Sequence, residues 1–201
     1  QSIKITDVKT FQYNHENNEL IIEFTGIKIE EELKPKYIKP VDPRKVIDNF
    51  GDKKYYLDGR LNSWSYIDES GNLIELPAIE RANGDKEYFI NNKRHRDNGL
   101  PAIECANGNK YYYVDDKRHR DNGLPAIERA NGDKYYFINN KRHRDNGLPA
   151  IECANGNKYY YVDDKRHRDN GLPAIERANG DKYYFINNKR HRDNGLPAIE
   201  C

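Results

Sequence analysis

One block of twelve residues, KRHRDNGLPAIE, constrains the fold of this chain more than any other feature, because it occurs five times. Successive copies begin 24 residues apart, which identifies a tandem array. Two versions of the unit alternate, with GDKYYFINN before the block in one and GNKYYYVDD in the other, so the true period is 48 residues. The copies occupy residues 93–104, 117–128, 141–152, 165–176 and 189–200.

An array grows along one axis, and its stability is a sum over neighbouring units. We therefore predict an all-β fold, an elongated solenoid or twisted sheet of stacked β-hairpin repeats with an N-terminal β cap. Residues 51–83 match the opening and the close of a unit but not its middle, and we interpret them as a degenerate first repeat. The five regular repeats are residues 84–107, 108–131, 132–155, 156–179 and 180–201.

Residues 1–50 lie outside the array, and we interpret them as the cap. Apolar and polar residues alternate over residues 2–13 and apolar residues are dense over residues 19–29, with turn-forming residues between them, which predicts a hairpin. Residues 30–48 contain Pro35, Pro40 and Pro43, spaced too closely for a helix or a central strand. We expect a crossing segment there.

Within a regular unit the pattern predicts strand, turn, strand, turn. Residues 134–138 (KYYFI) favour a strand, and residues 139–141 suit a tight hairpin turn. Residues 145–149 (DNGLP) form a second break, and residues 150–154 (AIECA) form a short second strand.

Strand alternation then assigns side chains to faces. Tyr136 should share one face with Ile138, and Tyr135 should share the other with Phe137. In the second strand Ile151 should be buried opposite Ala150 and the recurring glutamate. With either parity, we expect a regular row of partly exposed tyrosines.

The unit at residues 132–155, GDKYYFINNKRHRDNGLPAIECAN, resembles the MORN-type β-hairpin repeat, whose pattern is roughly GDxYxGxWxNGKRHGxG. It is closer to the "NGKxHRxDGPAxE" repeats of uncharacterised proteins from giant viruses and phages. Asn140 stands at the turn glycine of the pattern, and Arg144 at the glycine after the histidine. The resemblance implies stacked β-hairpins in an elongated sheet or half-pipe. It also implies scaffolding and, in some members, attachment to membrane phospholipid.

The recurring Lys-Arg-His-Arg tetrad predicts a basic ridge along the stack, which could bind phosphate groups of an anionic lipid or another polyanion. Aspartates follow each tetrad, so an alternative is a solvated series of Arg–Asp pairs between repeats. The candidate ridge residues are Arg94, His95, Arg96, Arg118, His119, Arg120, Arg142, His143, Arg144, Arg166, His167, Arg168, Arg190, His191 and Arg192.

The histidines recur once per unit, and metal ligation needs several ligands around one ion. If each unit were a single coil turn, neighbouring histidines would come within ~5 Å; if each unit holds two strands, they would not. We expect no metal and no cofactor. A catalytic site is one asymmetric constellation, whereas every candidate here occurs five times, so we predict that the chain is not an enzyme.

Three cysteines, Cys105, Cys153 and Cys201, stand at the same phase of alternate units. Two repeats along the axis measure ~10 Å or ~19 Å, depending on whether a unit holds one strand layer or two. Both distances exceed the ~7 Å limit for a disulfide. Unpaired thiols are expected, with cross-linking between molecules as the alternative.

A net charge of +1 provides no global attraction to nucleic acid or membrane and does not favour sequence-specific nucleic-acid binding. No apolar run is long enough to cross a bilayer. The absence of methionine suggests that a segment such as a signal peptide or tag preceded Gln1. We predict a rigid scaffold, spacer or interaction surface whose partner is a protein or another copy of the chain, joined laterally or end to end into a fibre. The alternative is a ligand-binding module, using the basic ridge or, for cell-wall glycan, the repeated rows of tyrosines.

Overall fold

The computed structural model describes the backbone of residues 3–14, 19–29, 44–68 and 70–201, and the side chains of residues 44–66, 68 and 70–201. Every regular element in these residues is a β-strand, which confirms the predicted fold class. The chain divides into two compact parts, an N-terminal part of Gln1–Pro40 with Ile67–Gly71 and a main part of Val41–Tyr66 with Asn72–Cys201.

The N-terminal part contains the predicted hairpin. Strands β1 (Ile3–Asn14) and β2 (Glu19–Ile29) pair antiparallel, with register shifts between Ile5 and Thr10. The predicted turn at residues 15–18 and the three prolines of the crossing segment lie outside the described residues.

The main part of the chain opens with the degenerate repeat. Its boundary strand β3 was predicted to belong to the crossing segment, but the structure pairs it with β4 in the main sheet. Strands β6 and β7 replace the middle of a regular unit and form a separate two-stranded sheet. The strands here are β3 (Arg44–Ile47), β4 (Lys53–Leu57), β5 (Arg60–Leu61), β6 (Trp64–Ile67), β7 (Leu73–Leu76) and β8 (Ile79–Glu80).

Each regular unit contains four strands of two residues. The first two units contribute β9 (Lys86–Glu87), β10 (Phe89–Ile90), β11 (Lys93–Arg94), β12 (Ile103–Glu104), β13 (Lys110–Tyr111), β14 (Tyr113–Val114), β15 (Lys117–Arg118) and β16 (Ile127–Glu128). The last three contribute β17 (Lys134–Tyr135), β18 (Phe137–Ile138), β19 (Lys141–Arg142), β20 (Ile151–Glu152), β21 (Lys158–Tyr159), β22 (Tyr161–Val162), β23 (Lys165–Arg166), β24 (Ile175–Glu176), β25 (Lys182–Tyr183), β26 (Phe185–Ile186), β27 (Lys189–Arg190) and β28 (Ile199–Glu200).

These strands form two rows. The first and fourth strands of every unit join β3, β4, β5 and β8 in one 14-stranded antiparallel sheet that continues through all five repeats. The second and third strands pair into one small hairpin per unit, as in β18 with β19. Each unit therefore adds two strands to the long sheet, or ~9.6 Å along it. Of the two predicted alternatives, the unit thus has two strand layers and is not a single coil turn.

The predicted strand over residues 134–138 is broken at Tyr136, because its two halves belong to different rows. Lys134 and Tyr135 pair with residues of the long sheet, whereas Phe137 and Ile138 pair in the hairpin. The chain changes direction between them, so Tyr136 and Phe137 are both buried. The predicted alternation of faces is therefore wrong at this point.

Ala150 is also fully buried, although it was assigned to the face opposite Ile151. It precedes the two-residue strand Ile151–Glu152, and its carbonyl oxygen accepts the N–H of Tyr136 at 2.8 Å. Alternation applies within a strand and does not extend to the residue before it.

The turns have the predicted chemistry. Asn139 and Asn140 have φ of 49° and 69°, the left-handed pair that a two-residue type I′ hairpin requires. Gly108 opens its unit at φ 88°, and a Cβ atom there would lie 3.3 Å from the Cβ of Ala130. Glycine is needed here both for its backbone conformation and for the close approach of the next turn.

The core is distributed along the array, and each cluster draws on successive units. Ala126 and Ile127 at the end of one unit pack with Phe137 of the next. Ala174 and Ile175 pack with Phe185 in the same way. Each unit thus buries its apolar side against its neighbour, as expected for a repeat array.

Candidate functional site

The two arginines of the Lys-Arg-His-Arg tetrad lie in different environments. We call the second one of each tetrad the inner arginine and the first one the outer arginine. The inner arginines are Arg96, Arg120, Arg144, Arg168 and Arg192. The outer arginines are Arg94, Arg118, Arg142, Arg166 and Arg190.

The inner arginines are mostly buried, with side chains only 11 to 18% exposed. In the middle unit, Cζ of Arg144 lies 3.7 Å from the ring centre of Tyr136. Its Nη1 donates to Glu152 Oε1 at 3.0 Å and to the carbonyl oxygen of Pro149 at 3.3 Å. The Tyr136 hydroxyl donates to the other oxygen of Glu152 at 2.8 Å. The inner arginine is therefore part of a Tyr–Glu–Arg triad that supports the fold of its own unit.

The tyrosines of the triads have raised pKa values. Burial, with smaller contributions from the nearby glutamates, raises the pKa of Tyr88, Tyr112, Tyr136 and Tyr160 to about 12. The phenol proton is held because its hydroxyl donates to a carboxylate in a site with little water. These tyrosines are consequently neutral donors at physiological pH.

The outer arginines lie nearer to solvent. The side chains of Arg94 and Arg142 are 40% and 37% exposed. Nε of Arg142 donates to Asp164 Oδ1 of the next unit at 2.7 Å, whereas Nε of Arg118 donates to the Tyr113 hydroxyl at 3.2 Å. Pairs between repeats, as the Arg–Asp alternative predicted, therefore form where the next hairpin carries aspartate.

The histidines bridge neighbouring units. Nδ1 of His143 lies 3.2 Å from the backbone N–H of Asp163 in the next unit, so this nitrogen must accept. Its Nε2 lies 3.2 Å from Asp145 Oδ1 and must then carry the proton. The aspartate that follows each tetrad therefore pairs with histidine and not with arginine, which corrects that part of the Arg–Asp alternative. The same Nε2 contact recurs at His95, His119, His167 and His191.

A clamp joins each hairpin to the preceding one. The backbone N–H of Asn140 donates to the carbonyl oxygen of Arg118 at 3.0 Å, and its side-chain oxygen accepts the N–H of Arg118 at 2.7 Å. Asp164 makes the same two contacts with Arg142. The Asn or Asp side chain thus takes the place of a backbone carbonyl and continues the hydrogen bonding between hairpins.

The long sheet carries the expected row of partly exposed tyrosines. Tyr135 faces Ile151 across the sheet, and Cζ of Arg129 lies 5.2 Å from its ring centre. This row is the surface on which the predicted glycan-binding alternative depends. Its members are Tyr111, Tyr135, Tyr159 and Tyr183.

Two glutamates at the start of the array were missed by sequence analysis. Glu87 is buried at the position where later units have tyrosine, and it accepts from Arg81 Nε at 2.8 Å and from Arg94 Nε at 3.3 Å. Glu75 accepts from Nε of the inner arginine Arg96 at 2.9 Å. The signal that could have identified Glu87 is its departure from a position that is tyrosine in the other four regular units.

Cys105, Cys153 and Cys201 are free thiols. Burial raises the pKa of the Cys105 and Cys153 thiols, which lowers the fraction of reactive thiolate.

Across the part of the chain that the structure describes, no cluster of three or more His, Cys, Asp or Glu is arranged to hold a metal ion. The histidines are one unit apart, and both ring nitrogens of His143 are engaged. Within the same residues, no helix has the length and apolar character needed to span a membrane.

Comparison with known proteins yields no relative: no family model, no curated protein and no solved structure matches the chain. The MORN-like resemblance therefore remains a prediction from the residues of the repeat.

Proposed function

We propose that this chain is a non-catalytic scaffold or spacer that presents the same surface at regular intervals. The observation that carries the proposal is the clamp between hairpins. It recurs as Asp116 with Arg94, Asn140 with Arg118, Asp164 with Arg142 and Asn188 with Arg166. With the continuous sheet as a second row of backbone hydrogen bonds, each junction is held on both sides. Such a junction resists bending, as a spacer requires.

The repetition of the polar groups supports a structural role. His143, Arg144 and Asp145 would be the obvious candidates for chemistry in the middle unit. His143 accepts a hydrogen bond from the backbone of the next hairpin and is hydrogen-bonded to Asp145. Arg144 donates to Glu152 and stacks on the Tyr136 ring. The groups that could catalyse are thus used to build the array.

The spacer proposal predicts that length scales with the number of units. Deleting residues 108–155 removes one superperiod and leaves every junction type unchanged, because residues 156–179 repeat residues 108–131. Small-angle X-ray scattering should show the maximum dimension shortened by ~19 Å, four strand spacings. A change of only a few Å, as for a compact globule that loses the same mass, would contradict the proposal.

The partner of the scaffold is another protein or a second copy of the chain. One exposed leucine per unit supports this assignment, since a repeated apolar position suits a protein surface better than solvent. Analytical ultracentrifugation over a range of concentrations tests the self-association version. A strictly monomeric species at every concentration would leave a different protein as the partner.

A second candidate function, binding of anionic lipid, is favoured by the exposure of the outer arginines together with the exposed Lys141 and Lys165. Vesicles containing phosphoinositide should bind more weakly as salt rises, and Arg118→Gln should weaken binding more than the neutral change Leu124→Ser. Negligible binding at low salt would exclude this function.

A further inference from the structure

A row of similar clefts lies between successive units of the array. The cleft at Arg120 has a volume of about 210 Å³ and is lined by Gly99 and Leu100 of one unit and by Tyr112 and Val114 of the next. Equivalent clefts of about 220 and 200 Å³ lie at Arg144 and Arg192. Because the lining residues recur with the unit, any ligand chemistry that suits one cleft suits the others.

The clefts at Arg120 and Arg144 each adjoin a buried hydrogen-bond donor. The Nε atoms of Arg120, Arg144 and Arg168 are buried and have no hydrogen-bond partner among the described residues. In the same guanidinium groups Nη1 already serves the glutamate and the proline carbonyl of its own unit. An unpaired buried donor of a charged group is costly, so the missing acceptor requires an explanation.

The first junction shows which group satisfies this donor. Nε of Arg96 donates to Glu75 Oε2 at 2.9 Å, while its Nη1 contacts Glu104 and Pro101 as in the other units. Glu75 precedes Leu-Pro-Ala in the degenerate repeat, and Gly99 precedes Leu-Pro-Ala in the regular unit. The carboxylate of Glu75 thus comes from the segment whose counterpart, Gly99 and Leu100, lines the cleft at Arg120.

We propose that each cleft between regular units binds the carboxylate of a glutamate from an extended acidic segment of a partner protein, in the place that Glu75 takes at the first junction. The inference goes beyond the scaffold function and does not depend on it. The strand that carries Glu75, Leu73-Ile74-Glu75-Leu76, shows the ligand type: a single carboxylate with apolar neighbours. The exposed leucines at the rims of the clefts match those neighbours, and they are Leu100, Leu124 and Leu172.

The charges around the cleft favour one carboxylate over a phosphate or a polyanion. Arg120 is already paired with Glu128 at 3.0 Å, so the site has no large excess of positive charge. Asp97 and Asp121 line the same cleft with highly exposed carboxylates and would repel a multiply charged group. The ion pair of Arg96 with both Glu75 and Glu104 shows that an inner arginine accommodates a second single carboxylate.

The spacing of the clefts restricts the partner further. Neighbouring clefts are one unit apart, ~9.6 Å along the sheet. A polyproline II segment returns to the same face every three residues, which is ~9.3 Å. A segment with glutamate at every third position would therefore engage several clefts at once and gain avidity.

The experiment titrates the full chain with synthetic peptides by isothermal calorimetry. The first peptide has glutamate at every third position with apolar residues between, the second has glutamine at those positions, and the third and fourth have glutamate at every second or every fourth position. Losing the carboxylates should weaken binding about tenfold or more. The altered spacings should bind no more tightly than a peptide with one glutamate. Equal affinity of the glutamate and glutamine peptides would overturn the proposal.

Arginine Nε–Hε resonances report on the site directly by NMR. The glutamate peptide should move the inner-arginine signals toward that of Arg96 and leave Arg96 unchanged. If free acetate produces the same shift at the same concentration, the clefts bind carboxylates without recognising a peptide, and the partner assignment fails. If no peptide moves these signals, the site does not exist and the proposal is overturned.

A pair of charge-matched variants locates the binding. Leu124→Asp places a carboxylate at the rim of the cleft at Arg144. Asn155→Asp adds the same charge at an exposed turn of the long sheet, outside the residues that line this cleft. Only the first should weaken peptide binding, and circular dichroism should show both variants folded. Equal weakening by the two variants would indicate a nonspecific charge effect and would overturn the proposal.

Discussion

The first junction of the array and the junctions between regular units share one backbone plan but differ in two side chains. At the first junction Glu87 stands between Arg81 and Arg94, and Glu75 bonds to Arg96. Between regular units tyrosine replaces the first glutamate and glycine the second, as Tyr111 and Gly99 show. The first junction therefore has two carboxylates at the positions where the junctions between regular units have an aromatic ring and an open cleft.

This difference shows which contacts the fold requires. The Tyr–Glu–Arg triad is already complete in the first regular unit, since Tyr88 donates to Glu104 and Cζ of Arg96 stacks 3.6 Å from the Tyr88 ring centre. The position of Glu87 tolerates a charge only because two arginines converge there. The triad is thus the constant part of the regular unit. The variable part is the position of Glu87, which pairs with isoleucine in the long sheet.

The largest expected effect is alkaline unfolding, which tests whether the triad is common to both regions. The pKa of the buried tyrosines is raised from 10.0 to about 12 at Tyr88, Tyr112 and Tyr136. The folded state holds these protons more tightly, so this stabilisation is complete below pH 10 and is lost as the pH rises through about 12. Circular dichroism and the tyrosinate absorbance of the buried tyrosines should change together in that interval. Ionisation of every tyrosine near pH 10 without loss of structure would break the comparison.

The next effect distinguishes the inner arginine from the outer one. Arg144→Ala leaves Glu152 without its cation and uncovers the Tyr136 ring, and it should lower the free energy of unfolding by about 2 to 3 kcal/mol. Arg142→Ala removes a half-exposed side chain paired with Asp164 and should cost below about 1 kcal/mol. Urea unfolding measures both. Equal costs would mean that the two arginines do not differ in role.

A substitution at the boundary tests whether the first junction can be made regular. Glu87→Tyr installs the residue of the other units, and Arg81 could stack on the new ring as Arg129 does on Tyr135. We expect a change within about 1 kcal/mol, whereas Glu87→Ala should cost about 2 kcal/mol because both arginines lose their buried carboxylate partner and a cavity forms. Thermal unfolding measures both variants. A loss from Glu87→Tyr as large as that from Glu87→Ala would show that the charge itself is required.

The smallest effect concerns the clamp, which is common to all junctions. Asn140→Gly keeps the backbone conformation at φ 69° but removes the acceptor for the N–H of Arg118, and it should cost about 1 kcal/mol. Asn140→Asp is the control, since Asp116 and Asp164 hold this position in alternate units. Hydrogen exchange of the Arg118 amide should accelerate in the first variant only. Unchanged exchange in both would remove the clamp from the account of junction stiffness.

Sequence reasoning predicted much of the architecture, for local reasons. The repeat length, the five units, the tight hairpin turn at Asn139 and Asn140, and the row of partly exposed tyrosines all depend on spacing and turn chemistry within a few residues. The break at Tyr136 was not predicted, because residues 134–138 form a uniform strand pattern whose two halves pair with different partners. Strand partners are long-range information that the local pattern does not contain.

By itself, the sequence determined the period, the all-β class and the positions of the turns, because each depends on residues adjacent in the chain. Only the tertiary structure decided which arginine of each tetrad is inside, since Arg144 meets Glu152 and Tyr136 through the return of the chain and not through its neighbours in sequence. It also decided that the aspartate after each tetrad holds the histidine and that Glu75 fills the space beside Arg96. These assignments follow from which strands pair, and that choice is made by packing between units.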